Sequence, residues 1–166
     1  MNCAYYTVDI ASVTLSAFDW EDKTVVFRRG KMEQRGEGHR AAVLWDVTIE
    51  AIKEYQKRYP HKGKTLFLNM KDKIPYVRAR IATKFRKCRK KANIDNGIGH
   101  AHFRDSIRSI DSTISNQMSV DAVMGQKPLG NRGDYVDPEE YPRIAEESCQ
   151  ATYEYYFGKN IPSLTP

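Results

Sequence analysis

The side chains best equipped for chemistry in this sequence fall between His100 and Tyr135. That stretch carries His100-Ala101-His102-Phe103-Arg104-Asp105-Ser106, then Val123-Met124-Gly125-Gln126, then Asn131-Arg132-Gly133-Asp134-Tyr135. Tyr135 follows Arg104 by 31 residues and Gln126 by nine. A guanidinium offers two parallel N–H donors that match the oxygens of a phosphate, a geometry an ammonium group cannot reproduce. A phenol, with a pKa of about 10, attacks phosphorus poorly until its proton is removed and the phosphate charge is offset. Each residue also has a plainer reading. Tyr135 is one of ten tyrosines, and Asp105 stands ready as a structural partner for Arg104.

The elements that must carry these groups are legible from periodicity. Ile10, Val13 and Leu15 fit a short helix over Asp9 to Leu15, leading to a turn. Thr24-Val25-Val26-Phe27-Arg28-Arg29 is β-branched and aromatic, and reads as a strand. Gly30, Gly36 and Gly38 break the chain before Ala41-Ala42-Val43-Leu44-Trp45 returns as a second strand, which makes a hairpin with a long charged loop. Asp46 or Thr48 caps a helix whose apolar stripe is Val47, Ile49, Ile52 and Tyr55, ending by Pro60. Leu66-Phe67-Leu68 is a candidate third strand.

From Tyr76 to Ala92 the spacing of Val77, Ile81, Phe85, Cys88 and Ala92 predicts a helix with one buried face. Its other face carries Arg78, Arg80, Lys84, Arg86, Lys87, Arg89, Lys90 and Lys91. Such a face is either solvated or contacts phosphates, and the second case predicts steep salt dependence. Phe103, Ile107, Ile110 and Ile114 define the arginine helix, and Val120 to Met124 a short one after it. Gly125 to Asp134 reads as an irregular loop. Asp137-Pro138-Glu139-Glu140 opens a final helix with a cap carboxylate, a proline in the first turn and acids beside it.

A length of 166 residues suits one domain with a real core, expected over 1–158 with a tail at 159–166. Lys and Arg number 27 against 21 acids, giving net charge +6, a balance that suits a polyanion without requiring one. Cys3, Cys88 and Cys149 are odd in number and widely spaced, so the sequence predicts a reducing compartment, no disulfide framework and no metal site. No apolar run reaches membrane-spanning length, and no signal-peptide pattern stands at the start.

The order of hairpin, helix, basic helix, arginine helix, Met-Gly turn, tyrosine and terminal helix resembles the catalytic domain of tyrosine recombinases (the phage integrase family), from about Asn2 to Phe157. The resemblance implies an α+β fold, mainly helical with a small antiparallel hairpin or three-stranded sheet. It implies double-stranded DNA as partner and no cofactor. In that family a tyrosine attacks a DNA phosphodiester, forms a 3′-phosphotyrosyl link and releases a 5′-hydroxyl. Tyr135 matches that nucleophile, with Tyr141 in reserve. Arg104 matches the second arginine of the phosphate clamp, and Lys31 the hairpin lysine that protonates the leaving oxygen. Arg28, Arg29, Arg80, Lys84, Lys87 and Arg132 are the expected DNA contacts.

Several family positions are substituted. The first clamp arginine lies three residues before an acid, which here is Asp9, and Tyr6 stands in its place. The histidine three residues before the second arginine falls on Ala101, with His100 and His102 on either side. The residue nine before the tyrosine is Gln126, which hydrogen-bonds but does not titrate. Losing one preorganised donor costs roughly 10²–10³ in rate, so the resemblance admits both an impaired strand transferase and a degenerate DNA-binding or assembly module. A basic helical domain with no nucleic-acid partner is a third reading. The family normally carries a separate N-terminal domain, which the resemblance does not find in this sequence. It also implies docking of the last helix onto a neighbouring subunit, and a cytoplasmic protein of a bacterium, phage or mobile element.

Overall fold

In the computed structural model, residues 2–27, 39–69, 71, 74–94, 97, 99–111, 116–126 and 136–158 are described. Helix α1, Thr7–Ser12, leads through a 3-10 turn at Leu15–Ala17 into strand β1, Phe18–Asp19. The hairpin strands are β2, Thr24–Phe27, and β3, Arg40–Val43, and the three pair antiparallel in the order β1-β2-β3. The register sets Phe27 opposite Arg40 and Val25 opposite Ala42. The hairpin loop, including Lys31, lies outside the described residues.

The third strand is therefore Phe18–Asp19, and the Leu66-Phe67-Leu68 piece serves elsewhere. Leu66 is tied to α1 by its N–H, which donates to the Val13 carbonyl (2.8 Å). Strand β4, Leu68–Asn69, then pairs with β5, Ile74–Pro75, as a separate two-residue ribbon. Three apolar residues in a row cannot tell a sheet strand from a buried linker. Here the burial of Leu66 beneath Val13, Phe27 and Ile52 made the difference.

Helix α2, Asp46–Arg58, begins where the sequence predicts, but no side chain caps it. Ile49 and Ile52 are buried, while Val47 projects into solvent. The arginine helix, α4, spans His100–Asp111 and buries Ile107 and Ile110. Helix α5, Gln117–Met124, is capped by Asn116, whose Oδ1 accepts from the Met118 N–H (3.1 Å), and it ends on a left-handed Gly125. A 3-10 turn at Pro138–Glu140 opens the last helix, α6, Tyr141–Phe157. The Asp137 carboxylate accepts from the Glu139 N–H (3.2 Å), so the expected cap acts one turn before the α-helix proper.

Small side chains let α5 and α6 approach closely over the sheet. Ser119, Ala122, Ala145 and Ser148 are all buried, and the Ser148 N–H donates to Ser119 Oγ at 2.9 Å. Trp45 fixes the end of β3 to α6 through Nε1–H to the Cys149 carbonyl (3.1 Å). The main core thus joins β2, β3, α4, α5 and α6 through Val25, Ala42, Ile107, Val120, Val123 and Cys149.

The basic helix, α3, spans Arg78–Lys91 and departs from expectation in its burial. Ile81 and Phe85 are only half-buried, and Val77, Cys88 and Ala92 are exposed. The reason is that α3 sits at the edge of the domain. Its contact with α4 runs through Phe85, edge-on to Phe103 and His100 at 5.3 and 5.7 Å. Its other neighbour is α1, so Ile81 and Phe85 are partly covered while Val77, Cys88 and Ala92 stay outside. Among the described residues, no helix is long and apolar enough to cross a membrane.

Candidate functional site

Two buried arginines meet around the start of α1. Asp9 is fully buried, and its Oδ2 accepts the Tyr6 N–H at 2.8 Å, which closes the first turn of the helix. The same oxygen lies 3.3 Å from Nη1 of Arg40, the first residue of β3. Arg40 Nη1 also donates to the Ala4 carbonyl (3.1 Å), and Ala4 holds a left-handed backbone (φ 45). Arg40 is only 4% exposed. A buried cation is costly unless a carboxylate and hydrogen bonds accompany it, and Asp9 with Ala4 supplies both.

Arg104 enters from α4 and is 8% exposed. Its guanidinium carbon stands 4.2 Å from the centre of the Tyr6 ring, and that of Arg40 lies 5.5 Å from the same centre. One aromatic side chain therefore touches both cations. The two guanidinium carbons are no further apart than those two distances laid end to end. Arg104 forms an ion pair with Asp105 at 3.8 Å, but that carboxylate is 61% exposed, so solvent weakens the pair. Its Nε is buried and finds no hydrogen-bond partner among the described residues. A buried charged donor without an acceptor is a place where an anion would be welcome.

The C-terminal end of α5 closes on this cluster. A Cβ at Gly125 would collide with Arg40 Cγ and stand 2.7 Å from its Nε. Gly125 thus needs its missing side chain twice over, for its left-handed φ of 64 and for the arginine beneath it. Gln126 follows at once, half-buried, with its N–H on the Asp121 carbonyl (2.9 Å). The cluster therefore draws on four elements: α1 for Tyr6 and Asp9, β3 for Arg40, α4 for Arg104 and the end of α5 for Gly125.

The histidines are disposed otherwise. His102 is exposed, and its Nδ1 sits 2.9 Å from the Gly99 N–H at the head of α4. Two residues along a helix is more than half a turn, so His102 and Arg104 leave α4 on different sides. His100 packs on Phe85, and burial holds its imidazole below the ordinary value of 6.5. Tyr135, Lys31, Arg28, Arg29 and Arg132 lie outside the described residues. The reserve tyrosine, Tyr141, is buried in the core.

Arg80, Lys84 and Lys87 converge on one side of α3. With Asn69, Tyr76 and Thr83 they line a shallow depression of about 270 Å³. Lys84 Nζ lies 4.9 Å from the centre of the Tyr76 ring, and the hydrogen bond its ammonium donates to the Tyr76 oxygen raises its pKa. A second cleft, of about 450 Å³, is apolar and borders Cys3, Tyr5, Trp45, Val47 and Phe157. Among the described residues no group of His, Cys, Asp and Glu is arranged to hold a metal ion. Arg40 was missed in the sequence because the strand was read from Ala41. An arginine heading an apolar strand was the available signal.

The architecture is mainly helical with a small antiparallel sheet, and the fold resembles that of a recombinase domain. Among the solved structures it matches is a crystal structure of XerA recombinase. The likeness covers 96% of this chain and 56% of that chain, with a TM-score of 0.61 and 14% sequence identity. This chain thus spans little more than half the length of that protein, and the likeness is one of fold. No protein-family model and no curated protein matches the sequence.

Proposed function

We propose that this chain is a DNA-binding recombinase-type catalytic domain that cleaves and rejoins a strand through Tyr135. The observation that carries the reading is the buried Arg104 guanidinium, whose Nε lacks an acceptor. In the proposed step the Tyr135 oxygen attacks phosphorus, a phosphotyrosyl bond forms and the bond to the 5′-oxygen breaks. Lys31 gives the leaving oxygen its proton, and the phenolic proton passes to solvent water, since His102 leaves α4 on another side than Arg104. Gln126 hydrogen-bonds the phosphate. Arg80, Lys84 and Lys87 on α3, with Arg28, Arg29 and Arg132, hold the flanking backbone. Such an enzyme works in the bacterial cytoplasm, on DNA of the cell, a phage or a mobile element. Tyr155, Tyr156 and Phe157, exposed at the end of α6, suit docking between subunits on DNA.

A second reading has its own observation. The Tyr6 ring covers Arg104 at 4.2 Å, where the family carries another arginine. This favours a module that keeps the fold and binds DNA without cutting it. Incubation with a pool of nicked duplexes of random sequence, followed by denaturing electrophoresis, separates the two. The leading reading expects a covalent protein–DNA adduct that disappears in Tyr135→Phe. No adduct from either protein, with DNA affinity equal in both, would leave only the binding module.

A further inference from the structure

We propose that the apolar cleft between the N-terminal segment and α2 is a binding site for an uncharged aromatic small molecule of two or three rings that carries a hydrogen-bond acceptor. The inference goes beyond the strand-transfer reading and does not depend on it. Three observations carry it.

The first is shape and bracing. The cleft holds about 450 Å³ and is walled by the N-terminal segment, α1, α2 and the end of α6. Hydrogen bonds tie these walls together. The Asn2 side chain donates to the Val43 carbonyl at 2.8 Å and accepts the Trp45 N–H at 2.9 Å. The Trp45 indole is fixed in turn to the Cys149 carbonyl of α6 (3.1 Å). On the far side the Leu66 N–H donates to the Val13 carbonyl at 2.8 Å. A concavity braced on both sides does not close on its own apolar surface, so a ligand that covers that surface gains by releasing water. An apolar cavity of about 150 Å³ takes one benzene ring, so a space three times that size suits two or three rings with a short substituent.

The second is charge. None of the described residues that line the cleft is Lys, Arg, Asp or Glu, in a chain of which 29% is charged. The titratable groups along it are held neutral near pH 7. Burial pushes the Cys3 thiol up to about 12, raises the Tyr5 phenol and lowers the His100 imidazole. A charged ligand would give up its hydration here and meet no counter-charge. Phe18, Trp45, Phe67 and Phe157 offer aromatic rings instead, which favour a flat aromatic guest.

The third is a polar handle. Tyr5 lines the cleft, with its ring 5.8 Å from that of Phe27. Its hydroxyl is buried and has no hydrogen-bond partner. A shielded O–H without an acceptor is costly, and a ligand oxygen brought in with an apolar body would satisfy it.

The test uses the full chain and prodan, a neutral naphthyl ketone whose fluorescence reports an apolar surrounding. Saturable one-to-one binding is expected, and the Trp45 indole N–H resonance of ¹⁵N-labelled protein is expected to move along the same curve. Ala51→Trp, at an exposed position of α2 on the cleft wall, should fill the space and abolish binding. Tyr5→Phe should weaken it about three- to tenfold, the worth of one hydrogen bond. The matching naphthoate anion should bind at least tenfold more weakly than the ketone. A naphthoate that binds as tightly as prodan would show the basic surface at work and overturn the inference. So would an unmoved Trp45 resonance, or affinity for prodan unchanged in Ala51→Trp or in Tyr5→Phe. The wild-type titrations decide the matter even if a variant does not fold, and none of these outcomes touches the strand-transfer reading.

Discussion

Arg104 keeps a full charge in the interior with one solvent-weakened ion pair and an aromatic face for company. A buried donor left unsatisfied costs about 1–3 kcal/mol, more when it is charged, so the position is kept at the expense of stability. His100, four residues earlier on α4, shows the opposite strategy. Its ring is half-buried against Phe85 and Phe103, and desolvation pushes its pKa below 6.5. The sign follows directly. Below the ordinary pKa the unfolded chain takes up a proton that the folded chain refuses, so stability falls as the pH drops through 6.5 toward the lowered value. Thermal unfolding between pH 7.5 and 5 checks it: the loss of melting temperature on acidification is expected to shrink in His100→Gln. The sequence showed Arg104 as a candidate because a helix, an arginine and a tyrosine stood in order. It could not show Arg40, whose significance depends on Asp9 from another element lying 3.3 Å away.

At the scale of elements, the site joins Arg104 of α4 to the tips of three other units. The head of α1 supplies Tyr6 and Asp9, the head of β3 supplies Arg40, and the C-terminal end of α5 covers them with Gly125. Gly125→Ala is expected to cost about 1–2 kcal/mol from the left-handed backbone alone. Because its methyl would also push Arg40 away from Asp9, the total loss should exceed that figure. Chemical denaturation measures the sum. Helical periodicity was read well for α2, α4 and α5, where one face meets the core. It misled for α3, since an apolar stripe states which face could be buried and not whether anything covers it. The short strand at Phe18–Asp19 was unreadable for another reason: two residues carry no alternation, and only pairing with Val25 and Thr24 makes them a strand.

For the whole molecule, the basic excess is not spread evenly. Eight cationic side chains lie along α3, and three of them (Arg80, Lys84 and Lys87) line one depression beside Tyr76. Under the proposed function this basic helix forms a DNA-binding surface and Arg104 holds a phosphate from the interior. The general architecture was legible because the order of elements was distinctive, even at an identity of 14% to the matching structure. The binding claim reduces to a measurable slope. Affinity for a mixed-sequence DNA duplex is determined across about 50–200 mM salt for the wild type and for Arg104→Met. The account predicts a steep linear fall of log affinity with log salt, and a slope shallower by about 0.9 in the variant, the contribution of one phosphate. Identical slopes for the two proteins, or affinity indifferent to salt, would contradict it.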